Sequence, residues 1–400
     1  MDKIKPALRT EGIEYAIRDI IEVSKKAKEI LKSDLIYLNI GDPVQCGFAP
    51  PEEIIDNVCD ALKRNYNSYA DSIGIPSAIE AIKNYAKKRG IEPVDIYICQ
   101  GTSEAIEFAI SALINPKENI LLPCPCYPLY QAIVSKFDIE PRFYYLEEER
   151  GWEPDVSQIE SLIDKKTKAI VVINPNNPTG GMYSKESLET IVEIAKKYNL
   201  VIFSDEIYDQ WVFEGEKSIS IASLDKDVVV VTFNGLSKCY FAPGFRIGWG
   251  IVSGPKEVVE DYVEAIHKLA RARLCASHPL QFAIPPALNN ENSYLKKVLP
   301  IVKRRRDLIV EGLNQIPYIS CVKPKGAFYA FPKLELEGIS DLEFVKKLAL
   351  EEGVVLTHGS GFGQKPGTKH FRIVFLPEEK ILEKALEKIE KFVKKLTKNK

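Results

Sequence analysis

Between about residues 95 and 250, short apolar runs rich in β-branched residues alternate with segments of helical periodicity. The runs are "DIYIC", "NILLP", "KAIVVIN", "LVIFSDE", "VVVVTFNG" and "FRIGWGIV". One segment between them, "SKESLETIVEIAKKY", places Leu188, Ile191, Val192 and Ala195 on one helical face. Continuous apolar strands that alternate with helices are typical of a mostly parallel sheet covered on both faces. The pattern therefore predicts an α/β fold whose ligands bind beyond the carboxyl ends of the strands.

The pattern changes after about residue 290, and this change predicts a second domain. A long charged helix around "LKKVLPIVKRRRDLIVEGL" is followed by "KGAFYAFPKL", a further helix, "GVVLTHGSGFG", "HFRIVF" and a Lys-rich helix. The glycine-rich stretch "HGSGFGQKPG" lacks the strand-then-helix context of a dinucleotide fingerprint, so we predict a flexible loop there. Because 400 residues exceed what one core usually serves, we predict a large domain over residues 50–290. Residues 1–49, an N-terminal arm, and residues 291–400 would form a smaller α+β domain.

The charge balance argues against nucleic-acid and membrane partners. The chain has 54 basic and 56 acidic residues and a formal net charge of -2, which gives no general attraction to an anionic polymer or surface. The basic run "KRRR", residues 303–306, lies in a predicted helix with Asp307 and Glu311 nearby, so we interpret it as a solvated helix face. The expected partner is a small molecule or a second copy of the chain.

The sequence also predicts a soluble protein of the cytoplasm. The N-terminus is charged throughout and lacks the apolar segment of a signal peptide, and no run approaches the roughly 18 apolar residues of a membrane helix. Eight cysteines in 400 residues are too few for a disulfide scaffold. Cys124 and Cys126 have no second cysteine pair or nearby histidine, so both are expected to be structural and no metal site is expected.

Two segments are candidates for binding a phosphate. Gly101, Thr102 and Ser103 stand between a predicted strand and an amphipathic helix, where free backbone N–H groups and the helix dipole favour an anion. An ordinary N-cap is the alternative for either hydroxyl. Arg246 and the hydroxyl of Ser237 could contact the same anion from a distant part of the chain.

Lys238 follows an apolar strand in "VVVVTFNGLSK", where an ammonium group is costly to desolvate. Such a residue is either an ordinary surface lysine or an amine whose pKa is lowered by its surroundings. Asp205 also stands at a strand end, and Tyr208 follows three residues later. A lysine amine, a carboxylate for a protonated ring nitrogen, a hydroxyl for a phenolate oxygen and a phosphate site together match the needs of pyridoxal phosphate.

A set of longer stretches carries a family resemblance. In chain order they are "YLNIGDP", "YADSIGIPSAIEAI", "GTSEAIEFAI", "PCYPLY", "NPNNPTGGMYS", "SDEIYD", "NGLSKCYFAPGFRIG", "KGAFY" and "HFRIVF". In this order and over nearly the whole chain they resemble the pyridoxal-phosphate-dependent aminotransferases of the aspartate aminotransferase type. The resemblance implies fold type I, with a large domain built on a seven-stranded, mostly parallel sheet and a smaller α+β domain. It also implies amino transfer between an L-amino acid and a 2-oxo acid by a ping-pong Schiff-base mechanism.

The resemblance implies a role for individual residues around the cofactor. Lys238 would form the Schiff base and move the proton at the substrate α-carbon, and Asp205 would pair with the ring nitrogen. Tyr208 and Asn177 would hold the ring oxygen, while Tyr127 would stack on the ring. The residues implied at the phosphate are Thr102, Ser103, Ser237, Arg246 and, from the neighbouring subunit of a homodimer, Tyr69.

The resemblance also implies a substrate site and shows one departure. Arg372, helped by the Gly41 backbone, would bind the substrate α-carboxylate. Many relatives carry a serine three residues before the lysine, where this chain has Gly235. Either one phosphate ligand is lost here, or Ser237 compensates for it.

The choice of amino acid is less constrained. "IEYAIRDI", "LNIGDPVQCGFAPPEEI", "NSYADSIG", "FNGLSKCYFAPGFRIGW" and "RLCASHPLQ" resemble the bacterial-type alanine (glutamate-pyruvate) transaminases more than the aspartate branch. In those enzymes residues similar to Tyr15 and Arg18 close over the substrate, although an N-terminal arm docked on a partner explains both equally well. Arg18, Arg271 and Arg273 are candidates for binding the side-chain carboxylate of glutamate.

Three other functions stay open at this point. The chain could be an aspartate or broad-specificity aminotransferase, or a carbon-sulfur β-lyase that uses the same lysine, aspartate and arginine. A regulator built on the same fold would usually need an added DNA-binding module with a basic face. The net charge of -2 disfavours the regulator.

Overall fold

The structure is a computed structural model that describes residues 3–10, 12–13, 16–215, 217–289 and 292–398. Within these ranges the helices are α1 (Ala16–Leu31), α2 (Glu52–Lys63), α3 (Pro76–Lys88), α4 (Thr102–Leu113), α5 (Pro128–Lys136), α6 (Val156–Ile159), α7 (Lys185–Tyr198), α8 (Lys256–Arg273), α9 (His278–Gln281), α10 (Ile284–Asn289), α11 (Ser293–Gln315), α12 (Asp341–Glu352) and α13 (Glu379–Lys398). The strands are β1 (Ile36–Tyr37), β2 (Pro93–Gln100), β3 (Asn119–Cys124), β4 (Glu140–Glu147), β5 (Glu153–Pro154), β6 (Thr167–Ile173), β7 (Val201–Asp205), β8 (Val230–Gly235), β9 (Ile247–Ser253), β10 (Ile319–Ser320), β11 (Tyr329–Ala330), β12 (Lys333–Leu334), β13 (Val354–Val355), β14 (Thr357–His358) and β15 (Phe371–Val374). Among the described helices, none has both the length and the apolar content needed to cross a membrane. The cytoplasmic location stays a prediction.

Strands β2 to β9 form one large sheet in the spatial order β2-β9-β8-β7-β6-β3-β4-β5. The pairs from β8 through β7, β6 and β3 to β4 are parallel, and β9 runs antiparallel to both of its neighbours. The predicted α/β fold with a mostly parallel, seven-stranded sheet is confirmed, and the two-residue β5 extends that sheet at one edge. Strand β4 is absent from the predicted apolar runs because Glu140 and Arg142 interrupt it near this partly exposed edge.

Both faces of the large sheet are buried. On one face Phe203 and Val231 pack with side chains from α4, α5 and α8. On the other face Ile202 and Val230 pack with side chains from α3 and α7. Because neighbouring residues of one strand enter opposite cores, these strands are apolar without alternation, which is the pattern seen in the sequence.

The remaining strands form small sheets that bring distant parts of the chain together. Strand β1 pairs in parallel with β13, with Ile36 opposite Val354, and β15 lies between β11 and β14. Helix α1 packs on α12, and α11 packs on α13. The division of the chain at residues 50 and 290 stays a prediction.

The basic run at residues 303–306 is only partly solvated, so its interpretation as a solvated helix face is wrong for two positions. Arg306 is fully buried, and its guanidinium pairs with Glu214 and Asp307. Arg305 is also buried. The run covers about one helical turn, so half of it faces the body of the protein, where buried guanidinium groups need carboxylate or aromatic partners.

Candidate active site

The carboxyl ends of the parallel strands open into a cavity of about 500 Å³. Asp205 is the last residue of β7, and Ser237 follows two residues after β8. The predicted site residues that line this cavity are Gly41, Thr102, Ser103, Tyr127, Asn177, Asp205, Tyr208, Ser237, Lys238, Arg246 and Arg372. Since these residues come from nearly the whole length of the chain, the fold itself assembles the site.

The start of α4 and Arg246 lie side by side. Gly101 holds the N-cap position of α4 with a φ of 79°, so neither Thr102 nor Ser103 is the N-cap residue. A Cβ atom on Gly101 would lie 2.3 Å from Nη2 of Arg246. The glycine therefore permits both the left-handed backbone and the close approach of the guanidinium. Helix N–H groups and a guanidinium at one place form a site suited to an anion.

Gly235 has no space for a larger side chain. A Cβ atom there would lie 2.7 Å from Oγ1 of Thr102 and 2.8 Å from the carbonyl oxygen of Ile247. The hydroxyl of Thr102 meanwhile donates to the carbonyl of Asn234 at 3.0 Å. A serine at Gly235 would clash with α4. The hydroxyl that this segment contributes to the cavity lining is that of Ser237.

Asp205 is a buried carboxylate with two protein donors. The Tyr130 hydroxyl donates to Oδ2 at 3.2 Å, and the Ile207 backbone N–H donates to Oδ1 at 3.3 Å. Burial raises the pKa of Asp205 to about 6, and the two hydrogen bonds oppose that shift. The contact made by Tyr130 is not predicted from the sequence, although Tyr130 stands in the first turn of α5, three residues after Tyr127, the N-cap residue of that helix.

Lys238 extends into the cavity from the segment after β8. Its Nζ donates to the carbonyl of Gly41 at 2.8 Å and lies 5.8 Å from the centre of the Phe328 ring. Burial lowers the pKa of Lys238 to about 8, and the positive charges of Arg372 and Arg246 act in the same direction. Of the two interpretations left open for this lysine, the structure favours the amine with a lowered pKa.

Tyr208 and Tyr329 meet at the cavity wall, where their hydroxyl oxygens are 2.8 Å apart. Burial raises the pKa of Tyr208 well above its usual value, so the hydroxyl keeps its proton. Tyr329 lies in the quoted stretch "KGAFY" but has no predicted role. Its position in a shared motif is the signal that could have identified it.

Arg372 lies on β15 and is 1% exposed. Its Nη1 donates to Oδ1 of Asn177 at 2.9 Å. Its guanidinium carbon lies 4.4 Å from the centre of the Tyr329 ring and 4.7 Å from that of Phe362. Phe362 belongs to the glycine-rich stretch predicted to be a flexible loop. That prediction is wrong here, because residues 359–362 form a 3-10 turn that packs Phe362 against the arginine.

Three further predicted side chains that the structure describes, those of Tyr69, Arg271 and Arg273, are absent from the cavity lining. Tyr69 is 80% exposed. Arg271 pairs with Glu264 at 2.6 Å. Arg273 donates to the carbonyl of Ile98, on β2, at 3.1 Å. Neither of these two arginines lines the cavity.

Tyr15 lies outside the described residues, and so does the side chain of Arg18. Cys124 and Cys126 are buried free thiols, as expected for structural cysteines. Within the described ranges no group of three or more His, Cys, Asp or Glu side chains could hold a metal ion.

Known proteins share both this sequence and this fold. Residues 33–389 match the family described as aminotransferase class I and II. The chain is 41% identical over 393 residues to the glutamate-pyruvate aminotransferase AlaA of Haemophilus influenzae, which covers 96% of this chain and 97% of that protein. It is 39% identical over 394 residues to the alanine aminotransferase of Mycobacterium tuberculosis, with coverages of 96% and 91%. The solved structure of an alanine aminotransferase from Pyrococcus furiosus matches with a TM-score of 0.94 and 42% identity, covering 98% of this chain and 100% of that one. The chain therefore belongs to the class I and II aminotransferases and is an enzyme that transfers amino groups.

Proposed function

We propose that this aminotransferase exchanges an amino group between the pairs alanine–pyruvate and glutamate–2-oxoglutarate in a ping-pong reaction with pyridoxal phosphate as cofactor. The observation that carries the proposal is the agreement among the similar proteins. Two are named alanine aminotransferase and one glutamate-pyruvate aminotransferase, at 39 to 42% identity and over at least 96% of this chain.

The donor set of the cavity fits pyridoxal phosphate. The N–H groups at the start of α4, the Ser237 hydroxyl and the Arg246 guanidinium suit a phosphate. The buried carboxylate of Asp205 suits a protonated ring nitrogen. Gly101 and Gly235 leave no gap between α4, β8 and Arg246, so the donors around the anion site are held by close packing.

When bound, pyridoxal phosphate supplies an aldehyde carbon that accepts the amino group and a ring that withdraws electrons from the substrate α-carbon. We assign to Lys238 Nζ the tasks of carrying the cofactor and moving the proton at that carbon. Asp205 would keep the ring nitrogen protonated, and Arg372 would hold the α-carboxylate with help from the Gly41 backbone. The remaining assignments are ring oxygen contacts by Tyr208 and Asn177, ring stacking by Tyr127, and phosphate contacts by Thr102, Ser103, Ser237 and Arg246.

We further propose a homodimer in which Tyr69 reaches the phosphate of the other subunit. Tyr69 and Leu274 are both largely exposed. Their segments are in contact, since the Ala70 N–H donates to Sγ of Cys275 at 3.4 Å. Two exposed apolar side chains on adjoining segments suit a subunit interface. We expect twice the mass of one chain by light scattering at assay concentration, and a fully active monomer would contradict this proposal.

The substrate proposal is tested by single half-reactions. The purified protein, loaded with pyridoxal phosphate, is mixed separately with L-alanine, L-glutamate and L-aspartate without any oxo acid. The absorption of the lysine-bound cofactor is then followed over time. We expect alanine and glutamate to convert the cofactor to its amine form, and aspartate to do so at least about tenfold more slowly. The aspartate side chain is one methylene shorter than that of glutamate, and a difference of one methylene changes transition-state binding by about 1 to 3 kcal/mol.

Other outcomes select other functions. Fast conversion by aspartate would indicate an aspartate or broad-specificity enzyme. Release of pyruvate from cystathionine without an amino acceptor would indicate a carbon-sulfur β-lyase. Absence of a lysine-bound absorption band would overturn the role assigned to Lys238.

A further inference from the structure

A buried ion-pair cluster lies behind the turn that carries Asp205 and Tyr208. At its centre Arg89, the residue after α3, places Nη2 2.7 Å from Glu206 Oε2 and Nη1 3.0 Å from Asp209 Oδ2. The Glu206 and Asp209 side chains are 1% and 0% exposed, and the Arg89 side chain is 16% exposed. One cation therefore bridges two buried carboxylates.

The two carboxylates alternate along the chain with two cavity residues. Glu206 directly follows Asp205, and Asp209 directly follows Tyr208. Asp205, Ile207 and Tyr208 line the cavity, whereas the carboxylates of Glu206 and Asp209 contact Arg89. One face of this turn thus lines the cavity and the other face contacts the guanidinium of Arg89. The guanidinium pairs with Glu206 at the start of the turn and with Asp209 at its end.

The same cluster reaches the segment of Lys238. Sγ of Cys239, the next residue, lies 3.4 Å from Oδ1 of Asp209. Gln210 follows Asp209 and donates from Nε2 to the Tyr240 hydroxyl at 3.0 Å. The neighbours of three cavity residues therefore belong to one hydrogen-bonded network.

We propose that Arg89 is a positioning residue for amino transfer: by bridging Glu206 and Asp209 it fixes the turn that presents Asp205 and Tyr208 to the cavity. The inference rests on the proposed function for its effect on catalysis. Buried carboxylates are costly to desolvate and repel each other. Hydroxyl groups also donate to them, Ser220 to Glu206 and Tyr85 to Asp209, but Arg89 supplies the positive charge that both carboxylates share. Burial raises the pKa of Glu206, and the charge of Arg89 opposes that shift.

The test compares Arg89→Met with a matched control, Arg142→Met. Arg142 also contacts two carboxylates, Glu140 at 3.0 Å and Asp164 at 2.7 Å, but it lies on β4 and does not line the cavity. Amide hydrogen exchange of both variants is followed by mass spectrometry without substrate. We expect the peptide covering residues 201–210 to exchange at least about tenfold faster in Arg89→Met, because local opening becomes easier there. The control leaves that peptide unchanged.

Steady-state kinetics with alanine and 2-oxoglutarate provide the second readout. We expect kcat to fall about 100-fold in Arg89→Met with KM for alanine changed by less than about threefold, since a displacement near 1 Å at the reacting groups has an effect of this size. Arg89→Lys keeps the cation but lacks the planar fork that reaches both carboxylates, so kcat should fall about tenfold. Should Arg89→Met not fold, Arg89→Lys carries the test.

The outcomes separate positioning from mere stability and from the proposed function. A lower melting temperature with unchanged exchange at residues 201–210 and unchanged kcat would overturn the proposal, and so would an equal loss of kcat in Arg142→Met. If the wild-type protein shows no amino transfer while Arg89→Met still loosens residues 201–210, the hold of Arg89 on the turn is supported and the proposed function is refuted.

Discussion

A Lys238→Ala protein is expected to keep bound pyridoxal phosphate and to lose at least about 10⁴-fold in kcat for amino transfer from alanine, since the cofactor carrier and the base are removed together. The lysine Nζ faces the cavity and donates to the Gly41 carbonyl at 2.8 Å. Because burial lowers its pKa to about 8, the neutral amine that accepts a proton is available much closer to neutral pH than for an ordinary lysine. Absorption spectroscopy measures the bound cofactor, and steady-state turnover measures kcat.

Lys168→Ala is the control for this substitution. Lys168 lies on β6 of the same sheet and pairs with Glu118 at 3.2 Å, away from the cavity lining. Its replacement removes a partly exposed ion pair, which contributes about 1 kcal/mol or less, and should leave turnover unchanged. Near-normal amino transfer by Lys238→Ala would rule out the role assigned to Lys238.

An Arg372→Leu protein is expected to lose about 10³-fold in kcat/KM for alanine while cofactor binding stays normal. Removing one partner of a buried, hydrogen-bonded charge pair costs about 2 to 5 kcal/mol. In the proposed function the pair is the Arg372 guanidinium and the α-carboxylate of the substrate. The Arg372 guanidinium contacts the rings of both Tyr329 and Phe362 and donates to Asn177. Initial rates over a range of alanine concentrations measure the loss.

The conservative variant sharpens this second experiment. Arg372→Lys keeps the charge but loses the planar, two-pronged contact with a carboxylate. We expect its kcat/KM to lie between the wild-type and Arg372→Leu values, mainly through a higher KM. A fall in kcat with an unchanged KM would mean that Arg372 supports the cavity wall and does not bind the substrate.

Local sequence carries much of the fold and of the site. Apolar runs without alternation predict strands buried on both faces, and β7 and β8 are such strands. The carboxyl ends of parallel strands meet at one edge, so Asp205 and Lys238 are predictable as neighbours of one cavity. The spacing of polar residues at strand ends thus indicates the site before any contact is known.

Other features are not predictable because they depend on pairings between distant segments. Phe362 is part of a glycine-rich stretch that looks flexible, yet it packs on Arg372. Arg305 and Arg306 stand in a basic run that looks solvated, yet both are buried. Arg306 has one partner beside it in the helix, Asp307, but its second partner, Glu214, comes from another part of the chain. The sequence around Phe362 or Arg306 gives no sign of these distant partners.

The sequence by itself determined the class of fold, the edge of the sheet where the polar side chains gather, and the residue types suited to an anion and to a protonated ring nitrogen. These depend on periodicity, on strand ends and on the chemistry of single side chains. Only the tertiary structure decided that Arg89 holds the turn between Asp205 and Tyr208 and that Gly235 excludes a serine. The reason is that burial and contacts between distant residues arise only when the chain folds. Burial lowers the pKa of Lys238, and the contacts fix the positions of the side chains around the cavity.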